Sequence, residues 1–231
     1  IGLSMPAPNT IHNSVGASGN KKDGPAVNLL FNGFKELKMV WNQLESQPLL
    51  KKYLLAFFVY SMAVQTVMLI AAYFGEEEIA WGSDDQRTIG LISSILLIQL
   101  VAIIGATLTA KASEKFGNIP TLIVVNALWL MICVYAYFVV SPTEFYIAAG
   151  LVGMVMGGIQ ALSRSTYAKL MPETQDTTSF FSFYDVAEKI GIVLGTFIYG
   201  ALAQESGDLR NGIIMFGVFF LVGGLLLRRV K

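Results

Sequence analysis

The chain has 231 residues, of which 54% are hydrophobic and only 14% are charged. Soluble domains carry about 25% charged residues, so this composition indicates a protein embedded in a membrane. A formal net charge of zero gives no argument for a nucleic-acid partner, and one cysteine and one histidine are too few for a disulfide framework or a thiol–metal cluster.

The first 48 residues are predicted to form a linker. Residues 1–26 are rich in Gly, Ser, Asn and Pro and have no apolar period, which is typical of a flexible segment. Residues 27–47 contain an apolar stripe with helical spacing, formed by Leu30, Phe34, Leu37, Trp41 and Leu44. This stripe predicts a short amphipathic helix that either lies on a membrane surface or packs against another domain.

Six long apolar runs follow the linker. They cover about residues 53–74, 88–110, 119–140, 144–163, 179–203 and 211–228. Each is close to the ~20 residues that cross ~30 Å of hydrocarbon. Each must be a helix because lipid offers no hydrogen-bond partners to backbone groups. The predicted fold class is therefore an all-α membrane protein, with a bundle of six transmembrane helices over residues 49–231.

The distribution of basic residues predicts the orientation of these helices. If the N-terminus is cytoplasmic, thirteen of the 16 Lys and Arg residues fall in cytoplasmic segments. Only Arg87 and Arg210 fall in outside loops, and Lys189 lies inside a helix. Cytoplasmic segments of membrane proteins are enriched in Lys and Arg. We therefore expect both ends of the chain to be cytoplasmic, in a bacterial inner (plasma) membrane.

The fourth predicted helix carries a face of small residues that ends in polar groups. Spacings of four, three, four, three and four place the following residues on one side: Tyr146, Gly150, Gly153, Gly157, Gln160 and Arg164. Glycine faces of this kind are typical of close helix packing. We expect Gln160 and Arg164 to line or gate a cavity at the cytoplasmic side. The alternative is that Arg164 reaches the lipid headgroups.

The fifth predicted helix contains Asp185, Glu188 and Lys189 within hydrocarbon. Each charge costs roughly 2.5–3.5 kcal/mol at the centre of a membrane helix, so these side chains must be buried in protein or line a wet cavity. Asp185 and Lys189 have the spacing of a favourable helical ion pair. The alternative to a solute-coupling role is a structural ion pair that locks neighbouring helices.

A helical wheel separates the polar groups of this helix from its glycines. Gly191 and Gly195 fall on a different side and predict a separate packing stripe. The polar residues that fall within or at the border of one arc are Ser182, Asp185, Glu188, Lys189, Thr196 and Tyr199. Tyr184 completes the candidate solute-binding or gating residues on this helix.

Weaker polar signals lie on the first three helices. Ser61 and Gln65 share a face of the first helix, near Tyr60 and Thr66, and could line a cavity. The single amides in the second and third helices more often form interhelical hydrogen bonds than ligand contacts; they are Gln99 and Asn126.

Several chemical functions lack their patterns in this sequence. It contains no Walker loop, Ser/His/Asp arrangement, HExxH sequence or cysteine pair. We therefore predict that the chain is not an enzyme and requires no cofactor or metal.

Two stretches resemble the major facilitator transporters. Residues 105–120 read GATLTAKASEKFGNIP, between the second and third helices. Gly105, Glu114, Lys115 and Gly117 resemble the cytoplasmic loop motif G-x-x-x-D-[RK]-x-G, with Glu in place of Asp and a longer first spacing. The stretch GGIQALSRSTYAKLMPE (157–173), followed by SFFSFYDVAEK (179–189), resembles the signature of the "unknown major facilitator" family, which is related to the fungal vacuolar amino-acid effluxer.

The same family's seventh and eighth helices are similar to YSMAVQTVM (60–68) and LLIQLVAIIGA (96–106), so the resemblance extends over about residues 30–228. It implies that the chain is the C-terminal half of a twelve-helix transporter, built from two inverted three-helix repeats at about 53–140 and 144–228. Residues 1–48 would then be the central cytoplasmic linker, and a missing six-helix half would precede them. The first residue is not Met, which agrees with a fragment.

The predicted function is secondary transport of a small polar solute by alternating access, with an amino acid implied by the resemblance alone. Many relatives carry Y-x-D-G on the first helix, where this chain has Met62 and Ala63. Asp185, Glu188 and Lys189 are what remains for coupling in this half. The alternatives are a non-transporting membrane module with a structural polar stripe, and a six-helix protein that works as a homodimer.

Overall fold

Six long helices form the membrane-embedded bundle. The computed structural model describes residues 37–172 and 177–230. The helices are α1 (Pro48–Glu77), α2 (Asp84–Phe116), α3 (Asn118–Tyr137), α4 (Pro142–Leu170), α5 (Thr177–Ser206) and α6 (Leu209–Leu227). All six are long and apolar enough to cross a membrane, and the described ranges contain no strand. The predicted fold class is confirmed.

Two helices extend well beyond the hydrophobic runs that predicted them. α2 continues to Phe116 and α4 to Leu170, where the sequence predicted ends near residues 110 and 163. The prediction that residues 105–120 form a loop is therefore wrong. Gly105 lies inside α2, and the last turn of this helix includes Lys115. Polar residues such as Glu114 continue the helix past the hydrocarbon, because a helix needs apolar side chains only where it meets lipid.

A single residue connects α2 to α3. Gly117 has a φ of 89°, a conformation that glycine adopts without steric cost and that other residues rarely adopt. Its N–H donates to the Ser113 carbonyl at 2.9 Å, which ends α2. The tight reversal holds α2 and α3 as antiparallel neighbours.

Helix pairs in contact follow a two-fold pattern. In this pattern α1 corresponds to α4, α2 to α5 and α3 to α6. The contact between α2 and α4 then corresponds to that between α5 and α1, the contact between α1 and α6 to that between α4 and α3, and the contact between α2 and α3 to that between α5 and α6. The contacts of α3 with α6 and of α1 with α4 each join two corresponding helices. Exchanging the first three helices with the last three therefore preserves these contacts, as expected of two three-helix repeats. The small contact of α1 with α2 is the exception, because α4 and α5 have no backbone contact of that extent within the described ranges.

The contact between α2 and α4 is the most extensive in the bundle and depends on glycine. A methyl group on Gly153 would lie 2.7 Å from the Ile98 carbonyl oxygen, and one on Gly105 would lie 2.8 Å from the Met154 Cα. Both distances are shorter than van der Waals contact, so the two backbones approach as only glycine allows. The predicted packing role of the α4 glycines is confirmed at Gly153 but not at Gly150, which has nothing within 4 Å.

The equivalent contact between α1 and α5 also uses glycine. Gly191 faces Met62, and a methyl group there would lie 3.2 Å from that side chain. Gly195 faces the Met62 carbonyl oxygen, at 3.0 Å from such a methyl group. The predicted packing stripe on α5 is therefore confirmed, and it turns the neighbouring side chains of α5 toward α1.

Side chains cap the three helices that begin on the predicted outer side. Ser83 accepts from the Gln86 N–H at 3.3 Å and starts α2. Ser141 and Glu144 form a capping box at the start of α4, and Asp208 accepts from the Arg210 N–H at 2.8 Å to start α6. Such caps pair backbone N–H groups that a helix leaves free at its first turn.

A buried ion pair, which we call the outer clasp, joins the loops at this side. Arg210 Nε donates to Glu78 Oε2 at 2.8 Å, and its Nη1 donates to the Tyr137 carbonyl at 2.7 Å. The side chains of Arg210 and Glu78 are 16% and 22% exposed. The clasp thereby ties the end of α1, the end of α3 and the start of α6 together.

Residues 37–45 form a short helix that packs on the bundle. Val40 and Leu44 are buried in the same core as the transmembrane helices, while Trp41 is 55% exposed. The Trp41 ring lies 6.2 Å from the Phe183 ring of α5. Of the predicted apolar stripe, Leu44 is buried and Leu37 is partly buried, whereas Val40 takes the core position expected of Trp41. The rest of the predicted linker and its amphipathic helix, residues 1–36, lies outside the described residues.

Candidate functional site: a polar cavity between α1, α4 and α5

A cavity of about 710 Å³ lies between α1, α4 and α5. It is lined by residues 57–65 in the middle of α1, 159–168 near the end of α4 and 181–188 in the first half of α5, so it lies toward the side predicted to be cytoplasmic. Its polar lining includes the following predicted candidates: Gln65, Gln160, Arg164, Tyr184 and Glu188. The three helices therefore bring five of the seven candidate solute-binding or gating residues to one cavity.

Arg164 of α4 and Asp185 of α5 form an ion pair beside this cavity. Arg164 Nη2 donates to Asp185 Oδ1, and both side chains are about half exposed, at 55% and 48%. The guanidinium also lies over the Phe181 and Tyr184 rings, at 5.9 and 5.7 Å from their centroids. Arg164 therefore has a carboxylate partner and two aromatic faces, all from α5.

The predicted ion pair between Asp185 and Lys189 does not form. Asp185 is engaged by Arg164 instead, because the neighbouring helix presents a guanidinium fork to it. Lys189 is exposed, does not line the cavity and has no ion-pair partner within residues 37–172 and 177–230. A helical wheel treats α5 alone and cannot show that α4 offers a competing cation.

Glu188 is the second carboxylate of the site and has a neutral partner. Gln65 Nε2 of α1 donates to Glu188 Oε1. Within the described ranges no cationic side chain lies at ion-pair distance from Glu188. The cavity lining thus contains one guanidinium, which is paired with a carboxylate beside the cavity, and one carboxylate that is hydrogen-bonded to an uncharged amide.

Aromatic rings form much of the remaining wall. Phe57 stacks on Tyr184 with centroids 4.2 Å apart and meets the edge of Tyr60 at 5.7 Å. Tyr167 packs on the other side of Tyr184 at 5.0 Å. Of these rings only Tyr184 was predicted as a site residue. Tyr60 was expected near a cavity together with Ser61 and Gln65, and it does line this one. Phe57 lies within an apolar run and gave no such signal.

Buried hydroxyl groups fix α4 against its two neighbours. Tyr53 donates its hydroxyl to the Ser163 carbonyl at 2.7 Å, and the Tyr60 hydroxyl lies 2.7 Å from Ser163 Oγ. Tyr167 donates to the Phe180 carbonyl of α5 at 2.8 Å. Buried polar groups need such partners. These bonds set the spacing of α1, α4 and α5 around the cavity, and sequence reasoning did not identify Ser163.

Other polar candidates lie elsewhere or bond within their own helices. Ser61 lines the cavity, but its hydroxyl donates to the Phe58 carbonyl at 3.2 Å. Tyr199 is buried against Phe216 of α6, with ring centroids 5.5 Å apart, so the polar side of α5 does not face one space. Asn126 donates to the Leu122 carbonyl at 2.8 Å within α3, so its predicted interhelical bond is wrong.

The residues of the proposed loop motif do not line the cavity. They are Gly105, Glu114, Lys115 and Gly117. Gly105 serves the packing of α2 on α4, and Gly117 makes the turn into α3. Gln99 is exposed on α2. The functional geometry is therefore concentrated on α1, α4 and α5.

The sequence profile of the "Vacuole effluxer Atg22 like" family matches residues 1–231. The chain belongs to this family. A Bacillus subtilis (strain 168) protein named "Uncharacterized MFS-type transporter YxiO" is 31% identical over 204 residues, which cover 86% of this chain and 45% of that protein. "Autophagy-related protein 22" of Pichia angusta is 25% identical, over 91% of this chain and 41% of that protein.

A second fungal relative, "Autophagy-related protein 22" of Yarrowia lipolytica, is 24% identical over 82% of this chain and 33% of that protein. The chain therefore spans less than half the length of these relatives. The expected relation to major facilitator transporters and to fungal vacuolar effluxers is confirmed. The names of the family and of the Bacillus subtilis relative describe transporters and not enzymes, in agreement with the prediction from the missing catalytic patterns.

Proposed function

We propose that this chain is the C-terminal half of a twelve-helix secondary transporter that moves a small polar solute by alternating access. The observation that carries the proposal is the polar cavity enclosed by α1, α4 and α5 within a unit of two three-helix repeats. Secondary transporters place their solute sites between such repeats. The family's description, which names an effluxer, supports a function in transport. An amino acid is the solute class that we propose to test first.

The proposal includes a preceding six-helix half that faces the open side of this cavity. The Bacillus subtilis relative is more than twice as long as the part of it that matches this chain, which supports such a half. Its helices would complete the cavity wall and meet the exposed polar residues of α5, including Lys189. A coupling role for Lys189 stays a prediction, because this side chain lies off the described cavity wall.

Each cavity residue has a proposed role. Arg164 and Asp185 form a pair across two helices at the predicted cytoplasmic end, where breaking and remaking the pair would gate access. Glu188 and Gln65 lie between α5 and α1 and would contact the solute. Gln160 is accessible on α4 and would add a further amide.

We further propose a bacterial inner (plasma) membrane with both ends of the chain cytoplasmic. The excess of basic residues on one side supports this orientation. Cysteines introduced at Lys52 and Asp85 would test it with a membrane-impermeant thiol reagent, in a background with Cys133 replaced. Labelling of the Lys52→Cys variant from the outside of intact cells would refute the orientation.

The transport proposal is tested with the complete gene product in proteoliposomes. Radiolabelled amino acids are offered singly, and flux is compared between the wild type, Arg164→Ala and Asp185→Asn, with the amount of folded protein matched. We expect flux of at least one amino acid by the wild type and its loss in both variants. A wild-type protein that folds but moves no small solute, while both variants lower its melting temperature, would instead favour the non-transporting module.

A further inference from the structure

The two charged side chains of the cavity lining, Arg164 and Glu188, differ in their partners. Arg164 forms an ion pair with Asp185, which lies beside the lining. Glu188 is bonded to the uncharged Gln65 amide and has no cationic partner in residues 37–172 and 177–230. Lys189 follows Glu188 in sequence, but its side chain is exposed and outside the cavity lining. Glu188 is therefore the charged group of the described lining that has no partner of opposite charge.

Aromatic rings line the cavity beside Glu188. Tyr60 and Tyr184 line the same cavity, and Phe57 stacks on Tyr184 at 4.2 Å. These three rings are at most 3% exposed, and the guanidinium of Arg164 lies over the Tyr184 ring. The rings therefore form the buried wall around Glu188, and the carboxylate is the group that would bind a cation.

We propose that the cavity recognises an ammonium group, which Glu188 binds, and that the solute needs no free carboxylate. This inference rests on the transport proposal and specifies its solute class as amines, with amino acids included through their ammonium group. An ammonium donates three hydrogen bonds and forms a charge-assisted bond with a carboxylate, which is stronger than the bond from a neutral amide. The Gln65 amide holds Glu188 in position until the ammonium arrives.

A carboxylate on the solute finds no unpaired cation in the described cavity lining, where Arg164 is already paired with Asp185. Arg164 would have to exchange Asp185 for it, which replaces one carboxylate by another and gives little net gain. Removing the carboxylate charge from a solute should therefore have little effect on its binding. Removing the ammonium charge should abolish binding, because an anion would approach the unpaired Glu188 carboxylate.

Binding of three matched compounds to the purified complete protein tests this inference. They are L-phenylalanine, L-phenylalaninamide, which keeps the ammonium only, and N-acetyl-L-phenylalanine, which keeps the carboxylate only. Isothermal titration measures each Kd. We expect the amide to bind within about threefold of the amino acid and the N-acetyl compound to show no binding. Equal binding of the amide and the N-acetyl compound would refute the inference, as would an absence of binding by both ammonium-bearing compounds.

Variants of Glu188 assign the effect to this carboxylate. Glu188→Gln should weaken both ammonium-bearing compounds by about tenfold to hundredfold, the range for a hydrogen bond to a charged group. Glu188→Asp keeps the charge and should retain part of the affinity. Glu205→Gln, on the exposed far end of the same helix, is the matched control and should bind like the wild type. Melting temperatures confirm that each variant is folded.

The two proposals fail in different ways. If a solute is transported and its flux and affinity are unchanged in Glu188→Gln, the ammonium site is refuted while transport stands. If ammonium compounds bind through Glu188 but none crosses the membrane, transport is refuted while the site stands.

Discussion

Gly105→Ala is expected to disturb the largest helix contact of the bundle. The added methyl carbon would lie 2.6 Å from the carbonyl carbon of Met154 and 2.8 Å from its Cα, whereas ordinary contact begins at 3.4 Å. These are backbone atoms, so no side chain can rotate away. The Met154 carbonyl oxygen would lie closer still, so α2 and α4 would have to separate locally by at least about 0.8 Å. A gap of about 0.5–1 Å already forfeits a quarter to a half of the dispersion energy of the contacts it opens.

The magnitude follows from two opposing effects. Overpacking of a well-packed interior costs about 1–3 kcal/mol. Alanine restores about 1 kcal/mol through its better helix propensity. The net loss relative to the wild type is then about 0–2 kcal/mol, which lowers the melting temperature of a chain of this size by up to about 8 °C. The assay is thermal unfolding of the complete protein in detergent, followed by fluorescence-detected size exclusion.

Gly150→Ala is the matched control for this experiment. It makes the same substitution inside α4, where an added methyl group has no neighbour within 4 Å. Only the propensity gain remains, so its melting temperature should equal or exceed that of the wild type. If Gly105→Ala melts at the same temperature as Gly150→Ala or above it, then the close approach of α2 and α4 is not what stabilises the bundle.

Three further outcomes are expected. Arg210→Met should lower the melting temperature strongly, because it leaves a carboxylate and a carbonyl of the outer clasp without their donor. Arg87→Met is its control: it removes an exposed ion pair worth about 0–1 kcal/mol and should change the melting temperature little. Asp185→Asn should reduce solute flux more than Lys189→Ala does, because only the first removes an ion pair at the cavity; equal losses would assign Lys189 to the site. Gly117→Ala should lower the melting temperature by forcing a β-carbon into a positive φ, at a cost of about 1–2 kcal/mol, and an unchanged melting temperature would show that the turn relaxes.

The six transmembrane helices could be predicted from sequence because lipid imposes a simple rule on length and polarity. Their ends could not, because the polar turns beyond the hydrocarbon obey no such rule. α4 continues through Arg164 to Leu170 in a stretch that reads as a basic connection. For the same reason, the last turns of α2 were predicted to be part of a loop.

The candidate site was only partly visible in sequence. Charges within apolar runs cost free energy and therefore mark function, which identified Asp185 and Glu188 before any geometry was known. Their partners could not be identified in this way. Arg164 reaches Asp185 from another helix, and Gln65 reaches Glu188 from a third, so both pairs depend on tertiary packing.

Apolar and hydroxyl contributors to the site gave the weakest signal. Phe57 and Ser163 are ordinary residues of membrane helices, and nothing in their spacing separates a cavity wall from a packing face. They become informative only when the fold places the Phe57 ring on Tyr184 and the Ser163 carbonyl on Tyr53.

The capped start of α4 holds one end of a long helix in place, so a small tilt of the helix moves its far end by a large distance. Its first turn is held by the capping box of Ser141 and Glu144 at the side of the outer clasp, and Arg164 lies on the long arm of the helix. At 1.5 Å per residue that arm is about 33 Å, so a tilt of about 5° around the fixed end moves Arg164 by about 3 Å. A displacement of that size separates a guanidinium from its carboxylate. On the proposed gating role, a small angular movement at one membrane surface would be enough to make or break a single ion pair near the other.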